Sequence, residues 1–157
     1  MLKLYKFLAT GFGSGYSPIA PGTAGAFVGI LMLLGWQQIT PVGYQEAHNF
    51  IPLIVVTIIF NFIGVFVTNK VEPLWGKDPS RVVIDEIVGM WIAVLFVPQT
   101  LTNLIIGFFL FRFFDIAKPL GIRKLEKIDG GWGVMLDDVL AGIYANLVLQ
   151  VIVRLPL

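Results

Sequence analysis

The chemistry of this chain is concentrated in five carboxylates, Asp85, Glu86, Asp115, Asp137 and Asp138, set in a sequence that is 57% hydrophobic and only 13% charged. Asp85-Glu86 and Asp137-Asp138 are adjacent pairs, each at the threshold of an apolar run. Carboxylates beside hydrocarbon cost roughly 2.5 to 3.5 kcal/mol each at a bilayer centre, so they mark functional sites. An acidic pair in the first turn of a helix also favours the helix dipole and caps free N–H groups, and that structural role competes with the functional one at Asp85 and Glu86. The arrangement recurs, however. Gly89 follows Asp85 by four residues and Gly142 follows Asp138 by four, which puts a gap on the carboxylate's own helical face and lets another helix or a ligand approach. Carboxylates gathered at one depth repel one another unless a cation joins them. Oxygen ligands select hard divalent ions, Mg2+ first, because it takes one or two carboxylates together with waters and phosphate oxygens. Ca2+ and Mn2+ share that ligand chemistry, while zinc is disfavoured by the absence of cysteine and a single histidine.

Arg112, Asp115 and Lys118 recur at a spacing of three, so one helical face presents plus, minus, plus. Read structurally, Arg112 snorkels to an interface and pairs with Asp115. Read chemically, Arg112 and Lys118 hold a phosphate while Asp115 joins a metal shell or orients Arg112. A third feature is the glycine- and proline-rich stretch at residues 10–25. Gly25 and Gly29 fit the small-xxx-small pattern of close helix packing. Gly13, Ser14, Gly15, Ser17, Gly22 and Thr23 do not, and they set exposed N–H groups and hydroxyls ahead of a helix N-terminus, a cradle for an anion. The lysine-bearing Walker pattern is missing, which disfavours nucleotide hydrolysis. His48 falls in an expected outer loop, far from the carboxylates, and serine–histidine–aspartate chemistry falls with it. Trp36, Trp75, Trp91 and Trp132 read as packing or interface anchors.

The elements that must position these groups are apolar runs. At 157 residues the chain reads as one domain, 1–157, and its composition points to an all-α, integral-membrane helical bundle. Residues 3–9 suit a short interfacial helix, with Leu4, Phe7 and Leu8 on one face and Lys3 and Lys6 at the headgroups. That start is too brief for a signal-peptide core and is expected to remain in the mature protein. Five short spans are expected at residues 24–39, 51–68, 82–97, 101–114 and 136–153, with 82–114 open to a second reading as a hairpin that enters and leaves by one face. Lys and Arg orient them. Lys3, Lys6, Lys70, Lys77, Arg81, Lys118, Arg123, Lys124 and Lys127 fall on one side, whereas the connections 40–50 and 98–100 carry none and only Arg154 near the C-terminus falls on the other, so the N-terminus is expected in the cytoplasm. In that orientation the carboxylates and the glycine loop share the cytoplasmic interface. A net charge of +1 without a basic cluster argues against a nucleic-acid partner.

At these residues the chain resembles the phosphatidylglycerophosphatase A family of bacterial membrane lipid phosphatases. The matching pieces are Gly11-Phe12-Gly13-Ser14-Gly15 with Ser17-Pro18 and Pro21-Gly22-Thr23, then Asp85-Glu86 with Gly89-Met90-Trp91. Phe111-Arg112 with Asp115 and Lys118-Pro119 follows, and last Gly130-Gly131 with Gly133, Met135, Asp137-Asp138 and Ala141-Gly142. Gly121 and Ala26 depart from the pattern, where the family usually has a proline and often a serine. The resemblance implies Mg2+-dependent hydrolysis of phosphatidylglycerophosphate to phosphatidylglycerol and phosphate, on the cytoplasmic side of the bacterial inner membrane, in phospholipid biosynthesis. It implies that Asp85, Glu86, Asp137 and Asp138 hold the Mg2+, and that Arg112, Lys118 and the loop from Gly13 to Thr23 bind the phosphoryl group. Attack by water and attack by Asp138 or Asp115 are both open.

Two other functions compete. A small ion-coupled transporter or channel would spread its carboxylates through the bilayer, whereas here they gather at one edge. A lipid headgroup transferase could use the same carboxylate–metal chemistry but needs a site for a nucleotide-linked donor, and the sequence offers none.

Overall fold

Apolar runs of this length must satisfy their own backbone hydrogen bonds, and helices do so within one segment. The computed structural model describes residues 1–39 and 50–155, and over these the chain forms seven α-helices, one 3₁₀ turn and no strand. The helices are α1 (Leu2–Ala9), α2 (Pro21–Ile39), α3 (Ile51–Trp75), α4 (Ile84–Ala93), α5 (Leu101–Ala117), α6 (Ile122–Leu125) and α7 (Gly131–Arg154), with the 3₁₀ turn at Ser14–Tyr16. His48 and most of its expected outer loop lie outside the described residues. Helices α2, α3 and α7, of 19, 25 and 24 residues, are long and apolar enough to cross a membrane. The other two expected spans are shorter as helices: 101–114 lies within the 17 residues of α5, and 82–97 contains only the ten of α4.

Helix α4 is the centre of the bundle. Every residue from Ile84 to Trp91 is buried, with α2, α3, α5 and α7 packed around it. Both of its ends are set by tertiary contacts that hydropathy does not encode. At the start, the Val83 N–H donates to the Ala9 carbonyl at the end of α1, at 2.9 Å, and so holds Val83 outside the helix. At the finish, Phe96 adopts a left-handed φ of 62°. The Asn146 amide of α7 donates to the freed carbonyls of Ala93 and Leu95, at 3.1 and 2.6 Å.

Gly89 and Gly142 serve helix approach. A Cβ on Gly89 would run into the Phe111 ring and the Asp138 carbonyl, and one on Gly142 would lie 2.5 Å from the Gly89 carbonyl oxygen. The trace of α4 therefore touches that of α7 one turn beyond the acidic residues.

Two helices extend past their apolar runs. Helix α3 continues through Lys70 and Pro73 to Trp75, because this end packs against α1: Tyr5 meets Phe66 edge-on and Lys6 lies 5.5 Å over the Trp75 ring. Helix α7 starts at Gly131, five residues before its apolar run, and the Asn69 side chain of α3 accepts from the Gly131 N–H at 2.7 Å. Only a glycine fits there, since a Cβ on Gly131 would strike the Val65 backbone. Asp137 and Asp138 thus stand in the second turn of α7 rather than at its start. The N-terminal turns of α2 and α4, the last turn of α5 and the second turn of α7 come together at one end of the bundle.

Candidate active site

Glu86, Asp115 and Asp138 come from three different helices, and each places a carboxylate oxygen within 4.8 Å of the other two. All three are buried. At that separation, and an effective dielectric of about 20, each ionised pair repels by about 3 to 4 kcal/mol. Fixed positive charge offsets part of this. Arg112 Nη1 donates to Glu86 Oε2 in a short ion pair and lies 2.7 Å from Asp115 Oδ2. Lys118 Nζ donates to Asp137 Oδ2 and to Glu126 Oε1, at 2.6 Å each, and stands 3.9 Å from Asp115 Oδ1. Burial works against the Lys118 ammonium, yet its hydrogen bonds to Asp137 and Glu126 outweigh that cost and hold its pKa above the ordinary lysine value.

Lys118 reaches this position because it ends α5 in the left-handed conformation, φ 46°, with its N–H on the Phe114 carbonyl. The chain then turns through Leu120 and Gly121, also at positive φ, and the Tyr144 hydroxyl of α7 donates to the Leu120 carbonyl at 3.0 Å.

The donor set suits a hard cation. Asp85 Oδ1, Asp137 Oδ1 and Asp138 Oδ2 are buried with no hydrogen-bond partner, an arrangement that leaves oxygens open to a cation. All available ligands are oxygens, as Mg2+ requires. The trio that converges differs from the set Asp85, Glu86, Asp137 and Asp138. Asp115 takes part, Asp137 is held by Lys118, and Asp85 lies outside it. Adjacent helical residues point about 100° apart, so two neighbours in sequence rarely serve one ligand position.

The glycine loop divides. Gly22, in the first turn of α2, lies against Glu86 and Arg112, so closely that a Cβ would overlap Glu86 Oε1 and sit 3.2 Å from Arg112 Nη1. Thr23 follows it in the same turn, which directs the positive end of the α2 dipole at this corner. The remainder of the loop bonds to itself. The Ser14 hydroxyl donates to the carbonyls of Gly11 and Thr10, and Ser17 donates to Ile19. Gly15 packs on the Arg81 backbone, and Gly13 has nothing within 4 Å of where its Cβ would be. Sequence reasoning does not mark Glu126 or Tyr144. Both act through Lys118 and its loop, and no residue spacing announces a partner across a turn.

Fold and site together define a class: a helical protein with three helices long and apolar enough to cross a membrane, and with buried carboxylates gathered around an arginine and a lysine at one end of its bundle. Within that class the chain belongs to the phosphatidylglycerophosphatase A family, whose model matches residues 7–153. It is 46% identical over 151 residues to a Bacteroides thetaiotaomicron protein with the provisional name phosphatidylinositol-3-phosphatase, covering 92% of this chain and 90% of that one. Two relatives named phosphatidylglycerophosphatase A are 39% identical (Haemophilus influenzae, 94% of this chain and 88% of the relative) and 35% identical (Escherichia coli, 91% and 80%). No solved structure matches the chain significantly.

Proposed function

We propose that the chain hydrolyses phosphatidylglycerophosphate to phosphatidylglycerol and phosphate at the carboxylate cluster, with Mg2+ as cofactor. The observation that carries the reading is the convergence of Glu86, Asp115 and Asp138 around Arg112, within a chain of this family. Glu86, Asp115 and Asp138 would hold the cation, with Asp85 and Asp137 completing the acidic surround. A bound Mg2+ supplies charge neutralisation on phosphoryl oxygens and a more acidic water. Arg112, whose guanidinium touches two of the three carboxylates, turns its remaining N–H groups to the phosphoryl oxygens, and its Nε is a buried donor without a partner. The first turn of α2 at Gly22 and Thr23 adds backbone N–H groups on the same side. Gly13, Ser14, Gly15 and Ser17 shape the loop that delivers this turn. Lys118 neutralises charge from the opposite side, beside Asp115 and Asp137.

Five crossings, with the N-terminus and the site on the cytoplasmic face of the bacterial inner membrane, fit the distribution of Lys and Arg. Helix α4 alone is too short to cross, at about 15 Å. Gln37 in the last turns of α2 donates to the Gln99 carbonyl at 2.9 Å, so the connection before α5 reaches the far end of α2. The third crossing is therefore a short helix followed by turns at residues 94–97, in which Val94 and Val97 are buried and the Ala93 and Leu95 carbonyls are met by Asn146. This favours a crossing over a hairpin that returns partway.

The provisional name of the Bacteroides relative supports a second reading, in which the phosphate is removed from an inositol headgroup. One assay separates the two and tests both: phosphate release by detergent-purified protein from phosphatidylglycerophosphate and, in parallel, from phosphatidylinositol 3-phosphate, with Mg2+ and after chelation. Mg2+-dependent release from the glycerol lipid at the higher kcat/KM is expected. Equal release after exhaustive chelation would sink the metal assignment, and preference for the inositol lipid would reverse the substrate assignment.

A further inference from the structure

Beside the site, between the end of α3 and the start of α7, lies a narrow cleft lined by both exposed and buried residues. Its rim is formed by exposed Lys77, Asp78 and Glu126, and its floor by buried Gly133, Val134 and Asp137. The cleft as a whole leaves about 10 Å3, room for roughly one water molecule. Asp137 joins this cleft to the site. One of its oxygens is bound by Lys118, which also neighbours Asp115, while the other, Oδ1, is buried without a partner. Asp137 is 6% exposed.

The two flanks of the carboxylate trio differ in kind. On one are Gly22, the α2 N-terminus and Arg112, a positive corner suited to the anionic lipid headgroup. On the other are Lys118, Asp137 and the cleft, whose lining carries Glu72, Asp78, Glu126 and Asp137 against Lys77, and Lys77 is itself paired with Asp129 at 2.7 Å. A negative passage repels phosphate and admits water. Displacement at phosphorus places the attacking oxygen roughly in line with, and opposite, the leaving oxygen. With the lipid on the Arg112 flank, the water must arrive from the other.

We propose that this cleft is the water inlet of the site, with Asp137 Oδ1 holding the incoming water at its inner end. The inference rests on the phosphatase reading for its purpose but not for its geometry. In the hydrolysis, the water oxygen forms the new P–O bond, the bond from phosphorus to the lipid oxygen breaks, and the water proton passes to a carboxylate oxygen of the cluster, which returns a proton to the lipid oxygen so that it leaves as a hydroxyl and the carboxylate is regenerated.

The chain contains no cysteine, so a single introduced thiol reports without background. Val134→Cys is placed in the full-length protein in sealed inside-out vesicles and treated with Ag+, a thiol-reactive cation close in size to a water molecule, with Leu149→Cys, fully buried in the core, as the reference. Labelling of Val134→Cys at least 10-fold faster than the reference is expected, together with loss of most of that variant's own unlabelled hydrolysis rate in kcat rather than KM. Labelling no faster than Leu149→Cys overturns the inlet. Fast labelling that leaves hydrolysis intact also overturns it, because the cleft would then end short of the site. Labelling is read by mass shift and needs no activity, so failure of the phosphatase reading is seen separately, as unlabelled wild-type protein that releases no phosphate.

Discussion

Replacing Gly22 with alanine should separate stability from activity. Gly22 has helical φ/ψ within α2, so alanine suits the backbone and gains roughly 0.5 to 1 kcal/mol over glycine in helix propensity. The new Cβ, however, would overlap Glu86 Oε1 and lie 3.0 Å from its Cδ. The atom it meets is the free end of a flexible side chain, so the conflict is relieved by swinging the carboxylate aside rather than by moving the helix. Glu86 must retreat by roughly 1 Å, which takes it off Arg112 and out of the trio, and a misplacement of that size costs about 100-fold in rate. Expected is a kcat/KM for phosphate release about 100-fold below wild type, with a thermal midpoint in the same detergent unchanged or slightly raised. Wild-type turnover would refute the placement of Glu86 among the working carboxylates. A lowered midpoint with proportionate loss of activity would refute the claim that the clash is local.

Two further substitutions test neighbouring parts of the site. Asp138→Asn keeps the shape and removes one charge of a buried, mutually repelling cluster, so it should abolish turnover while leaving the thermal midpoint equal to or above wild type; retained turnover would remove Asp138 from the site. Tyr144→Phe deletes the hydrogen bond that ties Leu120 to α7 but keeps the ring on Phe114, at a stability cost of about 0.5 to 1.5 kcal/mol. The loop carrying Lys118 is then less fixed, and a several-fold rise in KM with nearly constant kcat is the expected kinetic signature.

The sequence makes the long apolar helices legible because their signal is local: α2, α3 and α7 each follow from a run of hydrophobic residues. Asp85-Glu86 and Asp137-Asp138 are legible for a similar reason, being expensive in such surroundings. What hydropathy hides is where a helix stops. The run 82–97 is apolar nearly throughout, yet ten residues of it are helical, since a main-chain bond to Ala9 fixes one end and Asn146 the other. Grouping within the cluster is hidden too. Adjacent carboxylates read as pairs, while the fold selects one from each pair and adds Asp115 from a third helix, a choice set by crossing geometry at Gly89 and Gly142.

The short α4 also explains polar residues that the chemistry does not need. A helix that ends inside a bundle exposes its last carbonyls where no water reaches, and each unsatisfied group costs about 1 to 3 kcal/mol. Asn146 meets that demand, and Gln150 in turn donates to Asn146 Oδ1 at 2.7 Å. Arg154 donates to Gln150 Oε1 at 2.8 Å, so a ladder spaced by four residues runs along α7 to the end of the helix. The Trp91 indole donates to the Gly29 carbonyl at 3.0 Å and ties the same region of α4 to α2. Anchored there from two sides, α4 cannot slide along its axis, and its first turn holds Glu86 at the depth where Arg112 and Gly22 meet it. The polar ladder and the carboxylate cluster thus lie at opposite ends of one short buried helix, fixed at its C-terminus while its N-terminus sets Glu86 beside Asp115 and Asp138.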